Sequence, residues 1–386
     1  MTAAEVGGAG ITLRGMTWDH PRGFASVRGA ASAYEALHPG VHVEWQARSL
    51  QGFADQPLEV LVRDYDLLVI DHPHIPHAAA GGLLLPLDGR GHDPELTGLA
   101  SHAVGPSHRT YAHDGHQYGL AIDAAAQVAV HRPDLLPAPP ATWDEVIELA
   151  TTGRVVWPAK PVDAISSFLT LAANRGAAIA DGAFVERDAG LAILEQLHAI
   201  ADLVDPACLD ENPIQTAERL AGDDRWWYAP LAFGYTNYGR PGFRRHRLAY
   251  VDMPAGAGGV TGSCLGGAGI AVSARTRHPE AAVEHALWLA SGDVQRGVYY
   301  RSGGQPAHVA AWDDDALDDD ALGFFRNTRR TLEGSWVRPR FDGWLEIQDR
   351  VGLLVNRALR REIADEVCLA GADAVVARAR EEHMRA

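Results

Sequence analysis

Three short apolar segments of this chain each end in side chains that can bind a polar ligand. Trp18 and His20 follow the first segment, Ser49 follows the second, and Asp71 and His72 follow the third. An indole ring stacks on ligands, an imidazole donates or accepts at neutral pH, and hydroxyl and carboxylate oxygens add hydrogen bonds. We predict a ligand-binding role for these five residues. The alternative for Trp18 is a packing role at the edge of a domain.

The segment from Asp71 to His77 contains three histidines, so a metal site is the competing interpretation. Metal-binding histidines must converge, and the two prolines of this segment force an extended path that points neighbouring side chains apart. We therefore expect no metal and no cofactor here. Hydrogen bonding to a ligand by Asp71 or His72 is favoured, with helix capping as the alternative.

A second group of candidates lies in the middle of the chain. Tyr235 and Asn237 belong to a glycine-flanked loop, the kind of segment that supplies stacking and amide hydrogen bonds to a polar ligand. Trp226 and Trp227 precede this loop, and adjacent aromatic residues usually divide between core and surface. At most one of the two is predicted to touch a ligand.

Three further candidates lie in the last third of the chain. Cys264 stands just before Gly266, whose backbone N–H could approach an anionic or hydroxyl-bearing ligand. No base is close to Cys264 in sequence, so we predict a small apolar spacer rather than an essential nucleophile. Arg338 could clamp a carboxylate with two hydrogen bonds, and a salt bridge to a surface acid is equally compatible with its position.

The elements that must position these residues alternate between strand and helix patterns. Strands are predicted at 10–17, 41–46 and 65–70, and the last is the continuous apolar run typical of a parallel strand covered on both faces. A helix is predicted over 23–37. In open parallel sheets, ligands bind beyond the carboxyl ends of the strands. The pattern indicates an α/β fold with the first candidates along one sheet edge.

The later elements follow from the same patterns. Thr142 and Glu145 form a capping box at the start of a helix. The other predicted elements are an extended run over 118–130, helices near 165–175 and 189–203, a glycine-dense strand over 262–273, a helix over 278–290 and a mostly helical tail from 324.

Composition limits the classes of function. The 386 residues exceed one compact domain, so two domains are expected. The formal charge of −16 argues against nucleic acid and against an anionic membrane surface. No apolar window is long enough to span a bilayer, and the three cysteines are expected to be free thiols. Residues 1–10 lack the features of a signal peptide, which predicts a cytoplasmic protein as written, or a periplasmic or extracellular one if an upstream signal has been removed.

One ordered set of motifs resembles a known family. It consists of residues 266–295 (GGAGIAVSARTRHPEAAVEHALWLASGDVQ), the GGQP turn at 303–306, the YDLLVID run at 65–71 and the LLLPLD segment at 83–88. In this order they resemble family 1 extracellular solute-binding proteins over nearly the whole chain.

The resemblance implies the type II periplasmic-binding fold, with a ligand held in a cleft between two lobes that close by a hinge motion. One lobe would comprise 10–120 plus 265–310, and the other 121–264 plus 311–386. It also implies capture of a sugar-like molecule or small organic acid for an ABC transporter permease, by a protein expected to be monomeric. The alternative is a cytosolic enzyme that reuses this fold, with His20, Asp71 or His72 as acid–base groups and Cys264 as an optional nucleophile. A third hypothesis, a ligand sensor for a cytosolic regulator, has no positive feature in the sequence.

Overall fold

The computed structural model describes residues 10–49, 57–177, 179 and 182–383. The N-terminal segment on which the signal-peptide prediction rests lies largely outside these residues. The chain divides into two compact units. Unit 1 comprises the residues up to Ala103, His108–Asp123 and Ala268–Ala311, and unit 2 comprises Val104–Ser107, Ala124–Gly267 and the chain from Trp312.

Unit 1 is built on a mixed five-stranded sheet. Its strands and a small separate hairpin are β1 (Ile11–Trp18), β2 (Val41–Arg48), β3 (Leu67–Ile70), β4 (Ala112–His113), β5 (His116–Gln117), β6 (Gly119–Ala121) and β11 (Gly269–Val272). The sheet order is β2-β1-β3-β11-β6, and β4 pairs with β5. β1 runs parallel to β2 and β3, whereas β11 is antiparallel to both β3 and β6.

Unit 2 contains a smaller antiparallel arrangement. Its strands are β7 (Ala125–His131), β8 (Tyr228–Phe233), β9 (Ala249–Val251) and β10 (Leu265–Gly266). β7 is the common partner, because β8, β9 and β10 all pair with it. Its seven residues are all buried, which agrees with a strand that has neighbours on both edges.

Helices surround both sheets. In chain order they are α1 (Ser26–Leu37), α2 (Leu58–Asp64), α3 (Ile75–Ala80), α4 (Asp93–Ser101), α5 (Trp143–Ala150), α6 (Pro161–Asn174), α7 (Arg187–Ala201), α8 (Pro213–Gly222), α9 (Pro279–Ala290), α10 (Gly292–Val294), α11 (Val309–Trp312), α12 (Asp315–Asp320), α13 (Phe324–Glu333), α14 (Trp344–Leu359) and α15 (Asp365–His383). Among the described helices, none is both long and apolar enough to cross a membrane.

Two predicted elements differ from the structure for identifiable reasons. The extended run over 118–130 is two strands, β6 and β7, because the chain leaves unit 1 after Asp123. The glycine-dense strand over 262–273 is likewise divided into β10 and β11. Gly267 lies between them with a φ of +97°, a left-handed conformation that ends the first strand.

The first helix begins later than predicted. α1 starts at Ser26 and is preceded by a π-helical turn over Pro21–Ala25, in which the Ser26 N–H donates to the Pro21 carbonyl. The Ser26 hydroxyl also donates to the Arg22 carbonyl at 2.7 Å. The capping box is confirmed, because the Thr142 hydroxyl accepts from the Glu145 N–H while the Glu145 carboxylate accepts from the Thr142 N–H at 3.0 Å.

Candidate functional site

The carboxyl ends of β1 and β2 meet at one edge of the unit 1 sheet, as the sequence predicts. Trp18 and Arg48 are the last residues of the two strands and are in register. The Asp19 N–H donates to the Arg48 carbonyl at 2.6 Å, which joins the two loops as they leave the sheet. Ser49 follows Arg48 directly and is exposed. This edge presents the first group of candidate residues.

Trp18 packs into unit 1 rather than standing free at its edge. It is 6 % exposed and belongs to the core cluster that includes Val27 and Leu67. A Cβ atom at Gly23 would lie 2.4 Å from the indole Cδ2, so the ring lies directly on this glycine. His20 is also buried, and its Nδ1 accepts from the Arg22 N–H at 3.1 Å. The ligand role of both side chains stays a prediction.

The path after β3 is helical and not extended as predicted, because His72–His74 form a 3₁₀ turn and Ile75–Ala80 form α3, and a proline fits the first turn of each. Asp71 is half-buried and makes no capping hydrogen bond to the turn that follows it. His72 is buried, with its ring edge-on to Tyr111, whereas the His77 ring contacts Glu59 at 2.7 Å. Within the described ranges, no three His, Cys, Asp or Glu side chains are grouped so as to hold a metal ion.

A buried ion pair that sequence reasoning missed lies beside these loops. The Arg22 Nε donates to Asp123 Oδ2 at 2.6 Å, and its Nη2 contacts the other carboxylate oxygen. Burial raises the pKa of Asp123, the Arg22 guanidinium opposes this, and the Asp71 carboxylate is near enough to raise the pKa further. The available signal was an acid within the apolar run over 118–130, which predicts a buried partner without identifying it.

The second group of candidates lies in a short 3₁₀ turn after β8. Tyr235 is 8 % exposed and Asn237 is buried, so this loop is packed rather than open. The Tyr235 ring meets the Tyr238 ring edge-on at 6.4 Å, and the Tyr238 hydroxyl contacts Glu218 at 2.7 Å. The turn thus holds Tyr235 against a structural tyrosine. Trp226 is buried and Trp227 is half-buried, the division expected for adjacent aromatic residues.

Cys264 belongs to a buried polar network in unit 2. Its N–H donates to the Thr170 hydroxyl at 2.9 Å, and that hydroxyl donates to Gln127 Oε1 at 2.7 Å. Burial raises the pKa of the Cys264 thiol, while the Arg338 guanidinium and a hydrogen bond to Ser166 lower it. A thiol with a raised pKa is a weak nucleophile at neutral pH.

Gly266 makes close contact with an aromatic ring. A Cβ atom at this position would lie 2.7 Å from Phe233 Cε1, so only glycine allows the ring to approach the backbone. This packing is a structural reason for the glycine. The predicted contact between the Gly266 N–H and a ligand stays a prediction.

Arg338 is buried on the segment between α13 and α14. This segment runs beside β10, because the Trp336 N–H donates to the Ser263 carbonyl and the Leu265 N–H donates to the Trp336 carbonyl. The Arg338 Nη1 donates to Gln348 Oε1 at 2.8 Å. The structure thus brings Arg338 and Cys264 together, although they are 74 positions apart in the sequence.

Unit 2 also has a cavity of about 270 Å³. Its lining residues are Trp312, Asp313, Asp315, Asp318, Arg326 and Arg329. Charges on its wall pair with one another, as Arg326 with Asp318 at 2.7 Å and Arg329 with Asp313 at 2.5 Å. None of the predicted site residues is among these lining residues.

The comparison that decides the family covers most of the chain. A family model described as bacterial extracellular solute-binding protein matches residues 29–323. The chain belongs to this family. The family predicted from the motifs of this solute-binding protein is therefore confirmed.

Solved structures confirm the two-lobed α/β binding-protein fold. Maltose-bound MalE3 of T. maritima matches with a TM-score of 0.79 and 19% identity, covering 95% of this chain and 99% of that one. The GacH receptor of Streptomyces glaucescens, solved unliganded and with acarbose, matches with a TM-score of 0.79 and 14% identity over 96% and 98%. An ABC transporter solute-binding protein of Thermotoga lettingae, bound with alpha-D-tagatose, matches with a TM-score of 0.79 and 18% identity, covering 96% of this chain and 99% of that one. At these identities the likeness to each structure concerns the fold of the solute-binding protein.

Proposed function

We propose that this solute-binding protein captures a small, hydroxyl-rich ligand of the sugar class without transforming it. The observation that carries the proposal is the match of the family model over residues 29–323. The fold shared with proteins solved with maltose, acarbose and tagatose supports the sugar class. The raised pKa of Cys264 supports binding over nucleophilic catalysis.

Side chains of both units would contribute to the binding. Unit 1 supplies Trp18 and Asp71 at the edge formed by the carboxyl ends of its parallel strands, the edge where α/β sheets bind ligands. Unit 2 supplies Tyr235 and Asn237 from the turn after β8. Aromatic rings stack on the apolar faces of sugars, while carboxylate and amide oxygens accept hydrogen bonds from hydroxyl groups.

The family match also supports a proposal about the physiological role. Delivery of the bound ligand to an ABC transporter permease, on the outer side of the cytoplasmic membrane, is the role we propose. A strain that lacks the gene for this protein tests the role separately from binding. Uptake of the ligand from the medium should fail in this strain, whereas ligand already inside the cell should still be metabolised.

Calorimetric titration with maltose, acarbose and D-tagatose tests the binding proposal. We expect at least one of these sugars to bind, and Tyr235→Ala to weaken that binding at least about tenfold, because truncation of a stacking aromatic residue costs on the order of 2 kcal/mol. Asp71→Asn should have a milder effect, since the amide keeps one acceptor oxygen.

Tyr238→Phe is the matched control. It removes a hydroxyl from a tyrosine of the same turn, but one that is fully buried and hydrogen-bonded to Glu218. We expect unchanged affinity after this substitution. Equal affinity in the wild type and Tyr235→Ala would mean that the binding site has been assigned to the wrong part of unit 2.

A further inference from the structure

Arg338 differs from the other buried arginines of the described residues. In the ranges that the structure describes, three arginines are buried, at 4 % exposure for Arg22, 0 % for Arg132 and 7 % for Arg338. Arg22 is paired with Asp123, and Arg132 with Asp134 at 2.7 Å and with Asp224 at 3.0 Å. For Arg338, no carboxylate of the described residues lies within 4.0 Å of the guanidinium. Within the described part of the chain, it is a buried cation without an anionic partner.

The two described groups known to lie beside the Arg338 guanidinium are uncharged. Its Nη1 donates to the Gln348 amide oxygen. Its charge also lowers the pKa of the nearby Cys264 thiol, which is hydrogen-bonded to Ser166. The buried Nε has no hydrogen-bond acceptor among the described residues. An unpaired charge away from water is unfavourable, and donors left without acceptors add to that cost.

The position of this guanidinium is fixed by the backbone. Hydrogen bonds from both sides of Trp336 attach the segment to the chain around β10, and Gln348 on α14 holds the side chain itself. A fixed guanidinium with donors to spare matches the geometry of a carboxylate, which accepts two parallel hydrogen bonds from it.

We propose that Arg338 binds the carboxylate of the ligand, so that the preferred ligands are acidic sugars rather than neutral ones. This inference rests on the proposed function, because it specifies the sugar class that the same protein captures. The bound carboxylate supplies the anionic partner that the described residues lack.

Two matched pairs of sugars test the inference by calorimetry: D-glucuronate with D-glucose, and digalacturonate with α-1,4-linked digalactose. In at least one pair, we expect the acid to bind at least about tenfold more tightly than its neutral counterpart, because hydrogen bonds to charged groups are about twice as strong as neutral ones. Arg338→Gln should abolish this preference, whereas Arg338→Lys should retain part of it, since it keeps the charge and loses the planar fork.

Arg330→Gln is the matched control, because it removes the same charge from a residue that is exposed on α13. Arg330→Gln should leave the affinities for the acidic sugar and for its neutral counterpart unchanged. Unfolding temperatures without ligand separate binding from folding: Arg338→Gln should unfold at the same or a higher temperature than the wild type, whereas Arg132→Gln should unfold at a lower one.

The outcomes distinguish the two proposals. Neutral sugars that bind as well as their acids, or a preference that survives in Arg338→Gln, would overturn the role of Arg338 and leave the sugar proposal standing. A large loss of stability in Arg338→Gln without ligand would make Arg338 a structural residue and also overturn the inference. Absence of binding by any of these sugars and by maltose, acarbose and D-tagatose would overturn both proposals.

Discussion

At the scale of single residues, His285 shows how burial decides the behaviour of a side chain that sequence alone leaves open. It lies on α9 with no exposed surface, and neither ring nitrogen has a hydrogen-bond partner in the described part of the chain. Its ring meets Tyr34 edge-on at 4.6 Å and stacks near Trp288 at 6.1 Å. The imidazole therefore packs as a neutral aromatic group.

This environment predicts a dependence of stability on pH. Burial, with a smaller effect of His38, lowers the pKa of His285 to about 3, below its ordinary value of 6.5. The unfolded chain therefore binds a proton that the folded protein does not, so stability is complete above about pH 6.5 and declines as the pH falls toward 3. At pH 5 the loss from this residue is about 2 kcal/mol.

His285→Phe should remove that part of the pH dependence. Urea denaturation at pH 7 and pH 5 gives the measurement, and the variant should lose about 2 kcal/mol less than the wild type between the two values. His42→Phe replaces a mostly exposed histidine and serves as the control. If both variants lost as much stability as the wild type, His285 would be protonated in the folded protein.

The same scale shows what the sequence can supply about the site. The residue types after β1, β2 and β3 and their place at the strand ends were predictable, since a sheet brings the carboxyl ends of parallel strands together. The burial of Trp18 on Gly23 was not, because that contact depends on how the chain turns after His20. That Arg338 has no acidic partner among the described residues was also beyond prediction, since sequence does not tell which acids lie near an arginine.

At the scale of elements, the Arg22–Asp123 pair connects two segments that lie far apart in sequence. Arg22 belongs to the turn that leads from β1 to α1, and Asp123 is the last residue before the chain enters unit 2. The Asp123 N–H and carbonyl also pair with Ala268, where the chain returns to unit 1. The pair therefore anchors the loop of Trp18 and His20 to the crossing segments.

Removal of one partner of this pair should be strongly destabilising. Arg22→Met leaves the Asp123 carboxylate buried without a counter-charge, which costs about 3–5 kcal/mol. The double variant Arg22→Met with Asp123→Leu should recover much of this loss, because it leaves no buried charge. Urea denaturation of both single variants and the double variant forms the cycle. A double variant as unstable as the sum of the single variants would mean that the two side chains do not interact.

Most elements were predictable from periodicity, and the exceptions have a common cause. The capping box at Thr142 and the continuous apolar run of β3 are local patterns, and the structure contains both. The predicted strands over 118–130 and 262–273 are each divided where the chain passes from one unit to the other. Local sequence records that such segments are extended and buried, but not that their two halves belong to different sheets.

At the scale of the whole molecule, the proposed function predicts that a ligand stabilises both units. A ligand that contacts Trp18 and Asp71 in one unit and Tyr235 in the other would bind only when both are folded. At a concentration of 100 times the dissociation constant, such a ligand adds about 2.7 kcal/mol to the free energy of unfolding.

Differential scanning calorimetry tests this linkage with the tightest-binding sugar of the sets above. We expect the entire unfolding profile to move to higher temperature when the sugar is added, and Tyr235→Ala to reduce the shift. A shift confined to one part of the profile would contradict the proposal that both units hold the ligand. The monomeric state expected from the sequence stays a prediction for sedimentation analysis.

The position of β11 has a consequence for biosynthesis. This strand, Gly269–Val272, lies between β3 and β6 inside the unit 1 sheet, although more than 140 residues of unit 2 separate it from β6 in sequence. A ribosome must therefore deliver some 270 residues before β3 gains its inner neighbour and β6 joins the sheet. Until then the nascent chain exposes the unpaired edge of β3, a template for mispairing with other chains. The unit 1 sheet can therefore be completed only after most of unit 2 has been synthesised.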